Sequence, residues 1–170
     1  MNMENRMRNI SVEKITLNVG VGEPGEKLER VVTLLKNITG SQPVKTKAKK
    51  RIPEWGLRPG LEVGVKVTLR GKKAEEMLQR LFKAVENKIQ GSKFDEQGNF
   101  SFGVPEYVYI PGVKYDYTVG IIGLSVAVTL KRPGFSISKQ RQRRSIGKKH
   151  MITKQEAMDF VRERYKVEII

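Results

Sequence analysis

The sequence contains no cysteine and a single histidine. The first absence removes disulfides, thiolate catalysis and every cysteine-bearing zinc or iron–sulfur site at once. The second leaves His150 with no fellow metal ligand, and no motif supplies it with a partner base or nucleophile. Long apolar runs are also missing. The longest, Ile121 to Leu130, is broken by Gly123, Ser125 and Thr129, far short of the roughly 20 residues of a membrane-spanning helix. Neither MNMENRMRNI nor any later segment has the apolar core of a signal peptide. Acids are few and scattered: Asp95, Glu96, Asp116 and Asp159 show no DxD-type spacing, so no carboxylate cluster for Mg²⁺ is on offer. These absences predict a soluble intracellular protein with no metal, no cofactor, no membrane partner and no catalytic centre.

What remains is positive charge. Against 18 Asp and Glu stand 33 Lys and Arg among 170 residues, a net +15. A field of that size attracts polyanions and says nothing about fold. Lys45, Lys47, Lys49, Lys50 and Arg51 place five cations in seven residues, and Lys131 to His150 holds eight Lys or Arg and no acid. These segments carry 13 of the 15 net charges, leaving a nearly balanced remainder. A near-neutral globule with two basic segments is a polyanion-binding design, whereas merely solvated charge is more often mixed in sign. The length suits one domain with an extension: residues 1–131 as core, and 132–170 as a basic C-terminal extension with a short terminal helix, packed on the same domain.

Periodicity sets the elements. Val12 to Val19 alternates as a half-buried strand, with Ile15, Leu17, Val19 and Val21 on one side and Lys14, Thr16 and Asn18 on the other. Leu28, Val31, Val32, Leu35 and Ile38 give a helical stripe capped by Gly40. Pro43 to Thr46 reads as a short strand leading into a basic loop that runs to Pro59-Gly60. The next strand buries Val63, Val65, Val67 and Leu69. A helix follows with Ala74, Met77, Leu78, Leu81, Phe82, Val85 and Ile89, closed by Gly91. Gly98–Val104 reads as turn and strand, and a last strand turns Leu124, Val126, Val128 and Leu130 inward. This order predicts an α+β fold of the ferredoxin-like split β-α-β kind, an antiparallel sheet with helices on one face. The other face stays open, presenting Lys14, Thr16, Asn18, Lys66, Thr68, Arg70, Thr129 and Lys131, with Glu62 the one acid near its end. Thr153 and Glu156 form a capping-box pattern for a short helix carrying Ala157, Phe160 and Val161.

Several motifs admit two readings. GVGEPG at Gly20–Gly25 matches a dinucleotide fingerprint, but Glu23 sits where pyrophosphate would, Pro24 lacks a donor, and Lys45 stands where a ribose-binding acid belongs. It reads as a turn beside an RNA backbone. Phe100 and Phe102, and the cluster Tyr107, Tyr109, Tyr115 and Tyr117, are core or base-stacking residues. Trp55, between Pro53 and Pro59 on the basic loop, either stacks on RNA or folds back to anchor its loop. His150 reads as one more polar contact of the basic tail. Besides an RNA-binding structural protein, an RNA-processing enzyme, a free-standing nucleic-acid chaperone and a membrane-surface protein stay in view.

VEKITLNVGVGE (Val12–Glu23), TGSQPVKTKAKKRI (Thr39–Ile52), Arg58-x-Gly60, GVKVTLRG (Gly64–Gly71) and FDEQGNFSFGVPE (Phe94–Glu106) together resemble successive blocks of the universal L-five family of large-subunit ribosomal proteins. The resemblance covers Ser11 to Leu130, and the tail KRPGFSISKQRQRRSIGKKH looks like the archaeal and eukaryotic branch. It implies a structural protein of the cytoplasmic ribosome, attaching 5S rRNA in the central protuberance. The expected partners are 5S rRNA, large-subunit rRNA, P-site tRNA, a small-subunit head protein across the intersubunit bridge, and other central-protuberance proteins. Carried across, Lys14, Thr16, Asn18, Gly20, Gly22, Lys45, Thr46, Lys47, Lys66, Thr68 and Arg70 would bind 5S rRNA. Lys49, Lys50, Arg51, Trp55 and Arg58 would form the tRNA-facing loop, in which Pro53-Glu54-Trp55 replaces the small and Phe residues of the bacterial tip. Arg132, Arg141, Arg143, Arg144, Lys148 and Lys149 would form an rRNA-binding tail.

Overall fold

A computed structural model describes residues 5–170. Strand β1 (Ser11–Gly20) is followed by helix α1 (Glu26–Thr39), strands β2 (Val44–Lys47) and β3 (Glu62–Leu69), and helix α2 (Lys72–Ala84). Then come β4 (Lys88–Ile89), β5 (Phe100–Val104), β6 (Leu124–Lys131), helix α3 (Lys154–Tyr165) and β7 (Glu168–Ile169). Five strands form one sheet in the order β2-β3-β1-β6-β5, every neighbouring pair antiparallel. β1 and β2 therefore run parallel with β3 between them, and β3 and β6 flank β1 in the same way. Those are the two interleaved β-α-β units of the ferredoxin-like arrangement. β5 is an added edge strand.

Hydrophobic alternation dictates which face is covered. Ile15, Leu17 and Val19 of β1, Val65, Val67 and Leu69 of β3, and Leu124, Val126, Val128 and Leu130 of β6 are all buried. A bulge between Val12 and Lys14 shifts the register, so Val12 and Ile15, three apart, both reach the core. α1 lays Leu28, Val31, Leu34, Leu35 and Ile38 on that face, and α2 adds Ala74, Met77, Leu78, Leu81 and Phe82. Each of these side chains except Ala74 contributes about 1.5–3 kcal/mol on burial. Gly40 stops α1 in the left-handed conformation (φ 60°), its N–H bonded to the Lys36 carbonyl at 2.8 Å. Phe100 and Phe102 are core residues: Phe82 stacks on them with ring centroids 6.3 and 5.7 Å apart. α3 starts on the expected capping box, the Thr153 hydroxyl accepting from the Glu156 N–H at 3.3 Å and the Glu156 carboxylate from the Thr153 N–H at 2.9 Å. Ile152, Ala157, Val161 and Val167 join the same core.

One helix is shorter than its periodicity predicts. Val85 and Ile89 continue the apolar stripe of α2, yet Glu86 and Asn87 take left-handed backbone (φ 57° and 56°), and the chain leaves the helix. Lys88–Ile89 then pairs in parallel with Glu168–Ile169. That strand partner, distant in sequence, outcompetes one further helical turn.

Candidate nucleic-acid interface

Among the described residues no α-helix covers the opposite face of the sheet, and cross-strand registers place its side chains in rows. Asn18 of β1 stands opposite Lys66 on β3 and Ser125 on β6, and Thr16 stands opposite Thr68 and Ala127. Beyond these, Lys14 faces Thr129, and Ser101 and Gly103 of β5 continue the rows opposite Ala127 and Ser125. Lys66, Thr68, Asn18, Ser125, Ala127 and Lys131 are exposed, and Lys14, Thr16 and Thr129 half-buried. Arg70 follows β3 at the same end as Lys14 and is exposed. None of these positions is acidic or aromatic, so the face offers ammonium, guanidinium, hydroxyl and amide groups on a flat floor.

One end of the face has almost no side chains. Gly20 pairs with Gly64, and Thr46 stands on the other side of Gly64. A methyl added at Gly64 would lie 2.8 Å from the Val19 carbonyl oxygen and 2.9 Å from the Thr46 Oγ1, so packing demands that glycine. Gly20 has extended backbone and nothing within 4 Å of an added methyl, so the fold makes no such demand there. Gly22 turns the chain with φ 84°, its N–H and that of Val21 both donating to the Val63 carbonyl at 3.0 Å. Acids Glu23, Glu26 and Glu29 crowd the start of α1, which opposes an anion there and rules against a pyrophosphate site in the GVGEPG turn.

Two of the residues read as RNA contacts are engaged elsewhere. Lys45 stands opposite the buried Val65, so it leaves the sheet toward the helices, where its ammonium pairs with Glu29 of α1 and, at 3.3 Å, with Glu62. Hydrogen bonds to Glu29 and then to Glu62 hold it charged above the usual lysine range. Arg132 is only 4% exposed. Its guanidinium donates to the carbonyls of Arg8 (3.0 Å), His150 (3.3 Å) and Met151 (3.2 Å) and to the Glu156 carboxylate (2.8 Å). A buried guanidinium satisfied by four acceptors within the chain is a structural hub. Thr46 stays with the open face, and Lys47, opposite Glu62, is exposed.

The basic loop projects past the glycine end of the sheet. Ala48 and Leu61 extend the β2–β3 hairpin, and reciprocal 3.0 Å bonds between Ile52 and Leu57 pinch its base. Pro53–Trp55 forms a single tight turn closed by Gly56 at φ 64°. Half-buried Ile52 and Leu57 do the anchoring, and Trp55 is 71% exposed. Lys49, Lys50, Arg51 and Arg58 are all exposed, and among the described residues none has an ion-pair partner.

The tyrosine cluster divides. Tyr107 is fully buried, its hydroxyl accepting from the Asp116 N–H at 2.9 Å. Tyr109, Tyr115 and Tyr117 are exposed, together with Ile121. Their segment is pinned to the helices by Arg80, which donates to the Pro111 carbonyl at 2.8 and 3.0 Å, and by Arg30, which donates to the Thr118 carbonyl at 2.8 Å. Hydrogen bonds from the Thr118 side chain and backbone hold the Asp116 carboxyl below its usual value. The segment is thereby held on the helix side, off the basic face; spacing alone did not separate the one core tyrosine of this cluster from three surface ones.

Among the described residues no group of His, Asp and Glu side chains is placed to hold a metal ion, and no helix is long and apolar enough to cross a membrane. A family model described as ribosomal protein L5 matches residues 5–58, and the model of that family's C-terminus matches residues 62–160. A relative from Nanoarchaeum equitans, named large ribosomal subunit protein uL5, is 52% identical over 170 residues, covering 99% of this chain and 100% of the relative. Proteins of the same name from Sulfurisphaera tokodaii and Nitrosopumilus maritimus are 49% and 43% identical, each alignment covering 98% of this chain and 95% and 96% of the relative.

Proposed function

The chain belongs to the ribosomal protein L5 family, and from that premise we propose that its open sheet face holds 5S rRNA and attaches it in the central protuberance. The protein is a structural component of the large subunit of the cytoplasmic ribosome, not an enzyme. The observation that carries the RNA assignment is the composition of the uncovered face: Lys14, Lys66, Arg70 and Lys131 for phosphates, Thr16, Asn18, Thr68 and Ser125 for ribose hydroxyls, and beside them Glu13, whose charge Lys139 neutralises. A face without aromatic rings is suited to paired RNA, which is read largely through phosphate and 2′-hydroxyl contacts across its shallow groove. Gly20 leaves room for a backbone to come close.

Two further contacts follow in the same reading. The exposed Trp55 with Lys49, Lys50, Arg51 and Arg58 reaches past the sheet, so it can touch P-site tRNA while the sheet holds its own RNA. The exposed Tyr109, Tyr115, Tyr117 and Ile121, on a segment held by the helices away from the basic face, suit a protein surface, and the small-subunit head protein is the partner we assign to them. The primary test is recovery of total cellular RNA on the full chain. A single discrete RNA of 5S size is expected, lost on Lys66→Ala with Arg70→Ala while the melting temperature holds. Unselective RNA recovery, or selective recovery that this pair of changes leaves intact, refutes the assignment.

A further inference from the structure

The arm that carries Trp55 is rooted on the least anchored strand of the sheet. None of the four residues of β2 is buried, whereas β1, β3, β5 and β6 each sink several side chains into the core. β2 is also an edge strand, with β3 its one sheet neighbour. The register between them slips at Thr46 and Lys47, and beyond the slip the hairpin runs on to its loop. There the Ala48 N–H donates to the Leu61 carbonyl at 2.8 Å, and the Gly60 N–H to the Ala48 carbonyl at 3.0 Å. The twist between neighbouring strands ranges from about −10° to −35°. Hydrogen bonds to one neighbour therefore fix a register more tightly than an angle.

One side chain opposes that freedom. The Lys45 ammonium pairs with Glu29 of α1 and, at 3.3 Å, with Glu62 at the start of β3. α1 buries Leu28, Val31, Leu34 and Leu35 in the core, so Glu29 stands on a fixed support. A single cation thus ties the edge strand both to the helix layer and to the strand beside it. Among the described residues it is the one ion pair that joins β2 to a helix. Of the cations Lys45, Lys47, Lys49, Lys50 and Arg51, only Lys45 is paired within the described chain.

We infer that Lys45 is a positioning residue: held between Glu29 and Glu62, it sets the angle at which the Trp55 arm leaves the sheet, and so where the indole and cations of that arm meet a second RNA. The strut is a property of the free protein, and its consequence for tRNA rests on the loop being tRNA-facing. A strut differs measurably from a phosphate contact, because it can be broken from the α1 side. Removing the Glu29 charge loosens a strut. The same change frees the Lys45 ammonium and would strengthen any direct contact it made with phosphate.

Trp55 is the only tryptophan of the chain and is 71% exposed, so it reports on the arm without a label. The fast part of its fluorescence anisotropy decay reads nanosecond loop motion. In the full chain free of RNA, Lys45→Met and Glu29→Gln should each enlarge that fast part. The double variant should do no more than either single change, since both remove the same pair. Lys45→Arg, which keeps the charge and the reach, should retain the parent decay. An unchanged decay in the two single variants, or additive changes in the double variant, overturns the strut. On assembled ribosomes, the same single variants should speed dissociation of deacylated P-site tRNA about two- to fivefold, the range a surface ion pair can supply, with 5S rRNA affinity unchanged. If Lys45→Met weakens 5S rRNA binding while Glu29→Gln strengthens it, Lys45 is a direct RNA contact and the inference is overturned. Trp55→Ala with Lys50→Ala is the separate arm. If that variant leaves tRNA dissociation unaltered, the tRNA reading of the loop fails, while a changed anisotropy decay still upholds the strut.

Discussion

Replacing Arg132 by Met separates structural from RNA-contacting arginines in the tail. Met retains the length and apolar character of the arginine stem but removes every donor. Three carbonyls, of Arg8, His150 and Met151, lose a partner, and so does the Glu156 carboxylate. Each neutral hydrogen bond is worth about 1 kcal/mol net. Removing one partner of a buried ion pair costs about 3–5 kcal/mol, but the Glu156 side chain is 40% exposed and recovers hydration. The expected loss is therefore near the lower bound, about 3 kcal/mol. For a domain of this size that corresponds to roughly 6–12 °C in melting temperature. Arg141→Met should stay within about 0.5 kcal/mol, as exposed substitutions do. Arg132→Lys should recover only part of the loss, because one ammonium cannot fork to acceptors on several sides. Urea unfolding followed by circular dichroism gives the stabilities, and filter binding to 5S rRNA gives the affinities. Stability within 0.5 kcal/mol of the parent, with a salt slope reduced by about one contact, would make Arg132 an RNA ligand and refute the hub.

Trp55→Ala with Lys50→Ala should leave 5S rRNA binding within about 0.5 kcal/mol and speed dissociation of deacylated P-site tRNA from assembled ribosomes; an equal loss of 5S binding would merge the two surfaces into one. Gly64→Ala should destabilise by about 1–3 kcal/mol, since the Val19 carbonyl it would strike is backbone. Gly20→Ala should leave stability unchanged and weaken RNA binding; unaltered affinity would mean no backbone approaches there. Partial burial raises the Glu156 carboxyl, but the Thr153 N–H and the Arg132 guanidinium outweigh it and hold the group below its usual value. A depressed carboxyl contributes stability that is present above its unfolded value of about 4.3 and lost as pH falls through the folded one. Between about pH 5 and pH 3 the parent should therefore lose more melting temperature than Glu156→Gln, and parallel curves would disprove this coupling.

The parts of this fold that are legible in the sequence are those where one residue's neighbours along the chain decide its fate. β3 alternates from Val65 to Leu69, and α1 runs from its acidic first turn to Gly40, so face and boundaries follow from period and cap. The open face was readable for the same reason, because inward Val65 and Val67 force Lys66 and Thr68 outward. The intramolecular partners of Lys45 and Arg132 were not legible, because charge in a basic segment does not reveal its partner. Glu29 reaches Lys45 through the packing of α1 on the sheet, and Arg132 is satisfied by carbonyls at Arg8, His150 and Met151. The end of α2 was overextended because its competitor, β7, is remote in sequence. The three exposed tyrosines depend on how segment 105–123 is pinned by Arg30 and Arg80, contacts that no local pattern encodes.

The β4–β7 pair sets an order of events during synthesis. Ile89 accepts from the Ile170 N–H at 3.0 Å, and the Ile170 carbonyl accepts from the Gly91 N–H at 2.7 Å, so the chain just after α2 is completed only by residues translated much later. β1, β3 and β6, with the face they share, all emerge before Glu168–Ile169 does. Nascent chains lengthen by about 5–20 residues per second, so for a few seconds a basic sheet face exists on a chain whose last strand is still inside the exit tunnel. Segment 88–91 spends that interval without the pairing that Glu168–Ile170 later supplies.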